Sequence, residues 1–270
     1  MISTNQLVFI HFPKNGGTFV SKILRRIHDR KPPDDWRNRL YNRWLGGGHD
    51  AGYQELQPKH GTCNELPLDH HSKRLVSTIR DPFERYVSSY FFGWWKRYPE
   101  QYGTTADALN DRYPHYPDLR FDEFVQACCE EFSSMFEPDT DCHDGVGWYS
   151  RNVLGYYFRN PASTCSAFLA SPESPDWKSG AYNVTFLHTE QLNEELHSFL
   201  LEVGYDAAEV SFILDTGRIR PKDQSADRGK AQPQDLFTPA LTKYVLQKER
   251  LFFELFEEYK ESNSLGIEIS

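Results

Sequence analysis

Lys14, Asn15, Gly16, Gly17 and Thr18 stand in a row directly after the apolar run LVFIHF. These residue types in this order suit an anion. If the run is a buried strand and the next segment a helix, the helix start presents unpaired N–H groups and the positive end of its dipole. Gly16 and Gly17 let an oxyanion reach the backbone, Thr18 adds a hydroxyl donor, and Lys14 supplies a full charge. The common triphosphate loop has a longer spacer and carries its lysine after the last glycine. Here the loop is shorter and the lysine comes first. A second apolar run, RLVSTI, ends in Arg80, where a triphosphatase would place a metal-binding acid. The loop therefore suits one phosphate group better than a triphosphate–metal complex. Read without a ligand, the same residues make a tight strand–helix turn with a surface lysine.

Arg80 opens a second constellation, RDPFERYVSSY, with Ser88 eight residues on, about two helical turns. Asp81 can cap and Pro82 can start that helix. Arg80 and Ser88 would fork a second phosphate, the guanidinium giving charge-assisted bonds. Arg85 shares a face with Asp81 and Ser88 and reads as a structural ion pair with Asp81 or Glu84. Among the histidines, His11 lies within the first strand and reads as a core residue. His70 and His71 sit in a polar turn and read as solvated.

The elements that must position these groups follow an α/β pattern. Strands are predicted at 7–12, 74–79 and 183–192, the first two as buried parallel strands. Helices are predicted from Thr18 to about Arg30, from Pro82 onward, over 193–203 and as one long helix over 241–260. The fold class expected is a three-layer, P-loop-like α/β fold with a central, mainly parallel sheet flanked by helices. Residues 98–120 and 133–180, rich in Tyr, Pro, Gly and Ser, read as long irregular segments that form lids or binding walls. No repeat or domain boundary is visible, so 1–270 reads as a single domain with 98–180 as an acceptor-binding insertion.

Composition narrows the partners. The 270 residues include 30 basic and 39 acidic side chains, a net charge of −9, which argues against nucleic acid or a polyanionic polymer. A local basic cluster still suffices for one anionic nucleotide. No apolar run approaches the roughly 20 residues that span a bilayer, so no membrane partner is expected. Met1 leads almost directly into the first strand, leaving no room for a signal peptide. Cys63, Cys128, Cys129, Cys142 and Cys165 form no CxxC pair and read as reduced thiols of a cytoplasmic protein. Nothing in the sequence sets the oligomeric state.

HFPKNGGT followed by STIRDPFERYVSSY resembles the sulfotransferases that use 3′-phosphoadenosine 5′-phosphosulfate (PAPS), nearer the carbohydrate 2-O-sulfotransferase branch. NVTFLHTEQLNEELHSFLLEVG resembles that family's later strand–helix segment. The resemblance implies that Lys14, Asn15, Gly16, Gly17 and Thr18 hold the 5′-phosphosulfate, and that Arg80 and Ser88 hold the 3′-phosphate. It places RIRPKDQSADRGK, with Lys222, Arg228 and Lys230, where the family closes over the nucleotide. Asn15 departs from the usual Thr or Ser, but its amide can still donate.

Sulfuryl transfer leaves an enzyme mainly to position reactants and stabilise charge. Lys14 would neutralise the leaving phosphate oxygen, with no metal required, and a histidine would take the acceptor's proton. His60, in QPKHGTCNEL, resembles the family's base; His49, in GGGHDAGY, is the competitor. The product would be 3′,5′-adenosine bisphosphate. Acids and aromatics in 98–180 suit a small-molecule acceptor, a cationic natural product such as a guanidinium alkaloid. A saccharide or tyrosine hydroxyl is the alternative acceptor. A Mg²⁺-dependent phosphotransferase and a non-catalytic nucleotide-binding module are the rival readings.

Overall fold

The computed structural model describes residues 1–28, 52–134, 140–217 and 233–261. The chain runs β1 (Ile2–Ser3), β2 (Leu7–Ile10), α1 (Gly17–His28), β3 (Gln54–Glu55), β4 (Arg74–Ile79) and α2 (Pro82–Phe92). There follow α3 (Phe121–Glu130), α4 (Trp148–Tyr157), α5 (Pro161–Ala170), β5 (Val184–His188), α6 (Leu192–Glu202) and α7 (Pro239–Lys248), with shorter helical turns between. Packing divides the chain into two compact units, Met1–Arg80 with Asn183–Pro221, and Asp81–Tyr182 with Lys222–Ser270.

The first unit holds one five-stranded sheet in the order β3-β1-β2-β4-β5. β2, β4 and β5 are parallel, while β1 pairs antiparallel with β2 and β3 with β1. This is the mixed α/β architecture that the strand–loop–helix pattern predicts. All four residues of β2 are inaccessible to solvent, which explains why LVFI is apolar throughout rather than alternating. Val20, Ile23, Leu24 and Ile27 turn one stripe of α1 into the core with Leu187, Leu196 and Leu200, while Lys22, Arg25 and Arg26 stay exposed.

The second unit is helical where irregular chain was expected. Within 98–120 and 133–180 lie the helix Ala106–Arg112, the short helix Thr140–Gly145, α4 and α5. The miss has a physical cause. All ten residues of α4 are buried, so no amphipathic period marks it. In α5 a proline occupies the first turn, where its missing N–H costs nothing. The predicted C-terminal helix over 241–260 is also interrupted. It breaks at Glu249, where the Lys248 carbonyl accepts from Gly147 N at 2.6 Å and a new helix starts at Arg250.

Two further expectations are corrected. Cys142 and Cys165 are joined by a disulfide, Cα–Cα 5.9 Å, across the contact between Thr140–Gly145 and α5. Only packing brings them together, since they lie 23 residues apart with no motif between them. The reading of all five cysteines as reduced thiols fails, and with it the basis for a cytoplasmic location. Cys63, Cys128 and Cys129 are buried thiols. His70 is buried rather than solvated, its Nδ1 3.0 Å from Ser3 Oγ. Among the described residues no helix is long and apolar enough to cross a membrane.

Candidate active site

Parallel pairing brings three strand ends to one edge of the first unit. Ile10 of β2 lies opposite Ser77 of β4, and Ile79 of β4 opposite His188 of β5. The loop after β2, Arg80 after β4 and His188 therefore share the carboxyl edge, the side on which open α/β sheets bind ligands. Ser77 Oγ donates to the Ile10 carbonyl at 2.7 Å and ties β4 to β2 just before that edge.

The loop earns its glycines in two different ways. Lys14 and Gly16 both have positive φ, 67° and 79°, so the chain turns through left-handed backbone twice in three residues. Such interleaving directs successive N–H groups to one side and makes an anion-binding concavity. Gly17 opens α1, and a Cβ there would sit 2.4 Å from His11 Cδ2, so the helix start rests directly on the imidazole. Gly16 faces Thr189 Cγ2 and Leu192 Cδ2, each 3.1 Å from where a Cβ would stand, so the segment after β5 braces the loop. Phe19 N closes the first turn on Gly16 O at 2.9 Å. Thr18 and Lys14 are half-buried there. Asn15 is fully buried, and among the described residues neither of its amide atoms has a hydrogen-bond partner. An orphaned amide is costly, which marks this loop as unsatisfied without a ligand.

His60 stands beside this loop. Its Nδ1 is 3.0 Å from the His11 carbonyl oxygen, and the two rings meet edge to face at 4.6 Å. A carbonyl only accepts, so in the neutral imidazole Nδ1 carries the hydrogen and Nε2 carries the lone pair. Burial pushes the His60 pKa down, opposed by that carbonyl bond and aided by nearby Lys59. His11 is buried, with Nδ1 3.2 Å from Ser21 Oγ, and burial followed by the proximity of His60 and Lys59 pushes its pKa down to about 2. It is a neutral spacer between the loop and His60, a role its sequence position did not reveal.

Sequence reading also passed over His188. Its Nδ1 lies 3.0 and 3.2 Å from the two Glu195 oxygens, and its backbone N–H donates to the same carboxylate. The signal available was a histidine at a strand end followed by a glutamate on the next helix.

In the second unit, Asp81 caps α2 as predicted, Oδ1 accepting from Glu84 N at 3.1 Å, and Pro82 is the first helical residue. Ser88 lies within α2 and is buried. Arg85 is buried with its guanidinium 4.6 Å from the Trp148 ring centroid and 4.2 Å from that of Tyr149. His49, Lys222, Arg228 and Lys230 lie outside the described residues.

The site thus combines a doubly left-handed loop carrying a lysine with a tautomer-fixed imidazole beside it. The profile of the sulfotransferase family matches residues 1–259, and the chain belongs to that family. Its reaction class is sulfuryl transfer. No curated protein matches the chain in sequence. Among solved structures it is similar to mouse sulfotransferase SULT7A1 complexed with PAP, with 14% identity over 97% of this chain and 87% of that one. The TM-score is 0.42, too low for any residue to be carried across.

Proposed function

We propose that the chain transfers the sulfuryl group of PAPS to a hydroxyl or amine of a small-molecule acceptor. The observation that carries this reading is the doubly left-handed loop at the start of α1, with Lys14 in it and His60 fixed beside it. His60 Nε2 takes the acceptor's proton while the acceptor's oxygen or nitrogen forms a bond to sulfur. The bond from sulfur to the 5′-phosphate oxygen breaks, and Lys14 neutralises the charge left on that oxygen. The loop N–H groups of residues 16–18 hold the phosphosulfate oxygens, and Arg80 and Ser88 take the 3′-phosphate. Lys222, Arg228 and Lys230 are assigned to the segment that closes over the nucleotide. The proton ends on His60, and 3′,5′-adenosine bisphosphate leaves. His49 is the rival base.

For the acceptor, residues 98–180 and the helix end before them favour a small cationic natural product. Phe92 and Trp94 stack at 5.4 Å, Tyr98 meets Trp94 at 4.6 Å, and Trp94 and Tyr98 keep 36% and 41% of their surface exposed. Flat aromatic faces of this kind attract cations.

Calorimetric titration with 3′,5′-adenosine bisphosphate in the presence of EDTA tests the nucleotide assignment. Micromolar or tighter binding without added metal is the expected result. Silence with that ligand, together with Mg²⁺-dependent ATP binding, would replace this reading with a phosphotransferase.

A further inference from the structure

Ser88 sits on α2, whose middle turn meets the first turn of α4 and Glu249. Arg85 lays its guanidinium over Trp148 and Tyr149. The next residue, Tyr86, is 1% exposed and donates its hydroxyl to Glu249 Oε1. Burial holds the Tyr86 pKa well above the usual phenol value, so the hydroxyl stays a donor.

Glu249 is wholly buried. Besides Tyr86 it accepts from Tyr149 N at 3.0 Å, and from Ser150 N and Ser150 Oγ at 2.7 Å each. Four donors thus converge on two oxygens at the N-terminus of a ten-residue helix, whose dipole favours an anion there. Gly147 permits the approach, since a Cβ at that position would lie 2.5 Å from Glu249 Oε1. Ser150 Oγ in turn accepts from Phe252 N at 3.1 Å, so the carboxylate links α2, α4 and the helix beginning at Arg250. A buried carboxylate is a poor way to gain stability compared with apolar packing. What it adds is direction, because hydrogen bonds weaken steeply when misaligned.

We propose that Tyr86 and Glu249 form a positioning latch that sets the rotation of α2 and so aims Ser88 at the 3′-phosphate of the nucleotide. The proposal rests on the assignment of Ser88 given under Proposed function. Ser88 follows Tyr86 by two residues, about 3 Å along the axis, so any turn of α2 at Tyr86 reaches it undiminished. A misplacement of about 1 Å is enough to weaken a positioned contact severely. Neither Tyr86 nor Glu249 touches the nucleotide in this scheme.

The test is calorimetry on the full chain with 3′,5′-adenosine bisphosphate and with adenosine 5′-phosphate, which lacks the 3′-phosphate. Wild type should prefer the bisphosphate. Tyr86→Phe removes one hydroxyl and should cut that preference about tenfold, the scale of one hydrogen bond to a charged group, leaving adenosine 5′-phosphate affinity within about twofold. Ser88→Ala should do the same, and the double variant should lose nothing further, since both act on one contact. Glu249→Gln sets an amide against donors and is expected to unfold more easily, so Tyr86→Phe carries the test. A Tyr86→Phe protein that melts earlier yet keeps its full preference would make the pair purely structural and overturn the latch. Wild type that binds both ligands equally would instead remove the 3′-phosphate role of Ser88, and the latch with it.

Discussion

The two strand–helix junctions that carry the motifs are built by opposite means. After β2 the chain passes through left-handed backbone at Lys14 and Gly16, and α1 starts against a histidine ring with no room for a Cβ at Gly17. After β4 the turn is short, Asp81 and Pro82 start α2 by ordinary capping, and the following side chains are buried. The first junction offers backbone N–H groups and one charge. The second offers side chains, whose aim depends on how their helix is held. Damage to the first should therefore fall on turnover and on affinity for the nucleotide with or without its 3′-phosphate, and damage to the second on affinity for the 3′-phosphate alone.

Lys14→Ala is the severest way to break this contrast. Loss of the charge at the leaving oxygen should lower kcat about a thousandfold, the upper range for removing one such donor, with the fold intact by circular dichroism. Retained turnover would remove Lys14 from the chemistry. Gly17→Ala comes next: its methyl must displace the His11 imidazole, and nucleotide affinity should drop about a hundredfold as the helix start and His60 both shift. Calorimetry reads this directly, and an unchanged affinity would mean the loop does not bind through its backbone.

Arg80→Ala should weaken 3′,5′-adenosine bisphosphate about tenfold to thirtyfold, as loss of a charged pair does, with adenosine 5′-phosphate unaffected. Equal losses for both ligands would blur the distinction between the junctions.

The pH profile is a gentler probe. The base works when neutral, and burial lowers the His60 pKa below the usual 6.5. kcat/KM should thus be flat above pH 6.5 and fall only as pH drops through a lower value. His60→Ala should abolish that acid limb along with most of the rate. A limb that survives in the variant would point to His49 or another group. Gly204→Ala is the smallest change expected. Gly204 has φ 95° with no neighbour among the described residues within 4 Å of a Cβ, so about 1 kcal/mol of backbone strain is the whole effect. Thermal melting should register it while kinetics stay unchanged.

Local signals were enough to mark the strands that carry the motifs, because LVFI and RLVSTI are buried parallel strands whose apolar runs need no partner to be read. The capping of α2 was legible for the same reason, since Asp81 and Pro82 act on their own helix end. The sequence by itself also determined the family, through two motifs set on successive strand–helix junctions. Other features only the tertiary structure decided. α4 escaped notice because burial on every side erases periodicity, and the helix expected over 241–260 is interrupted at Glu249, which serves a helix about a hundred residues away. Cys142 and Cys165 met through helix packing that no spacing encodes. His60 gained a defined proton position only from the His11 carbonyl, 49 residues distant in the chain. Residue type is a local property, while protonation, aim and burial are set by whichever groups the fold brings alongside.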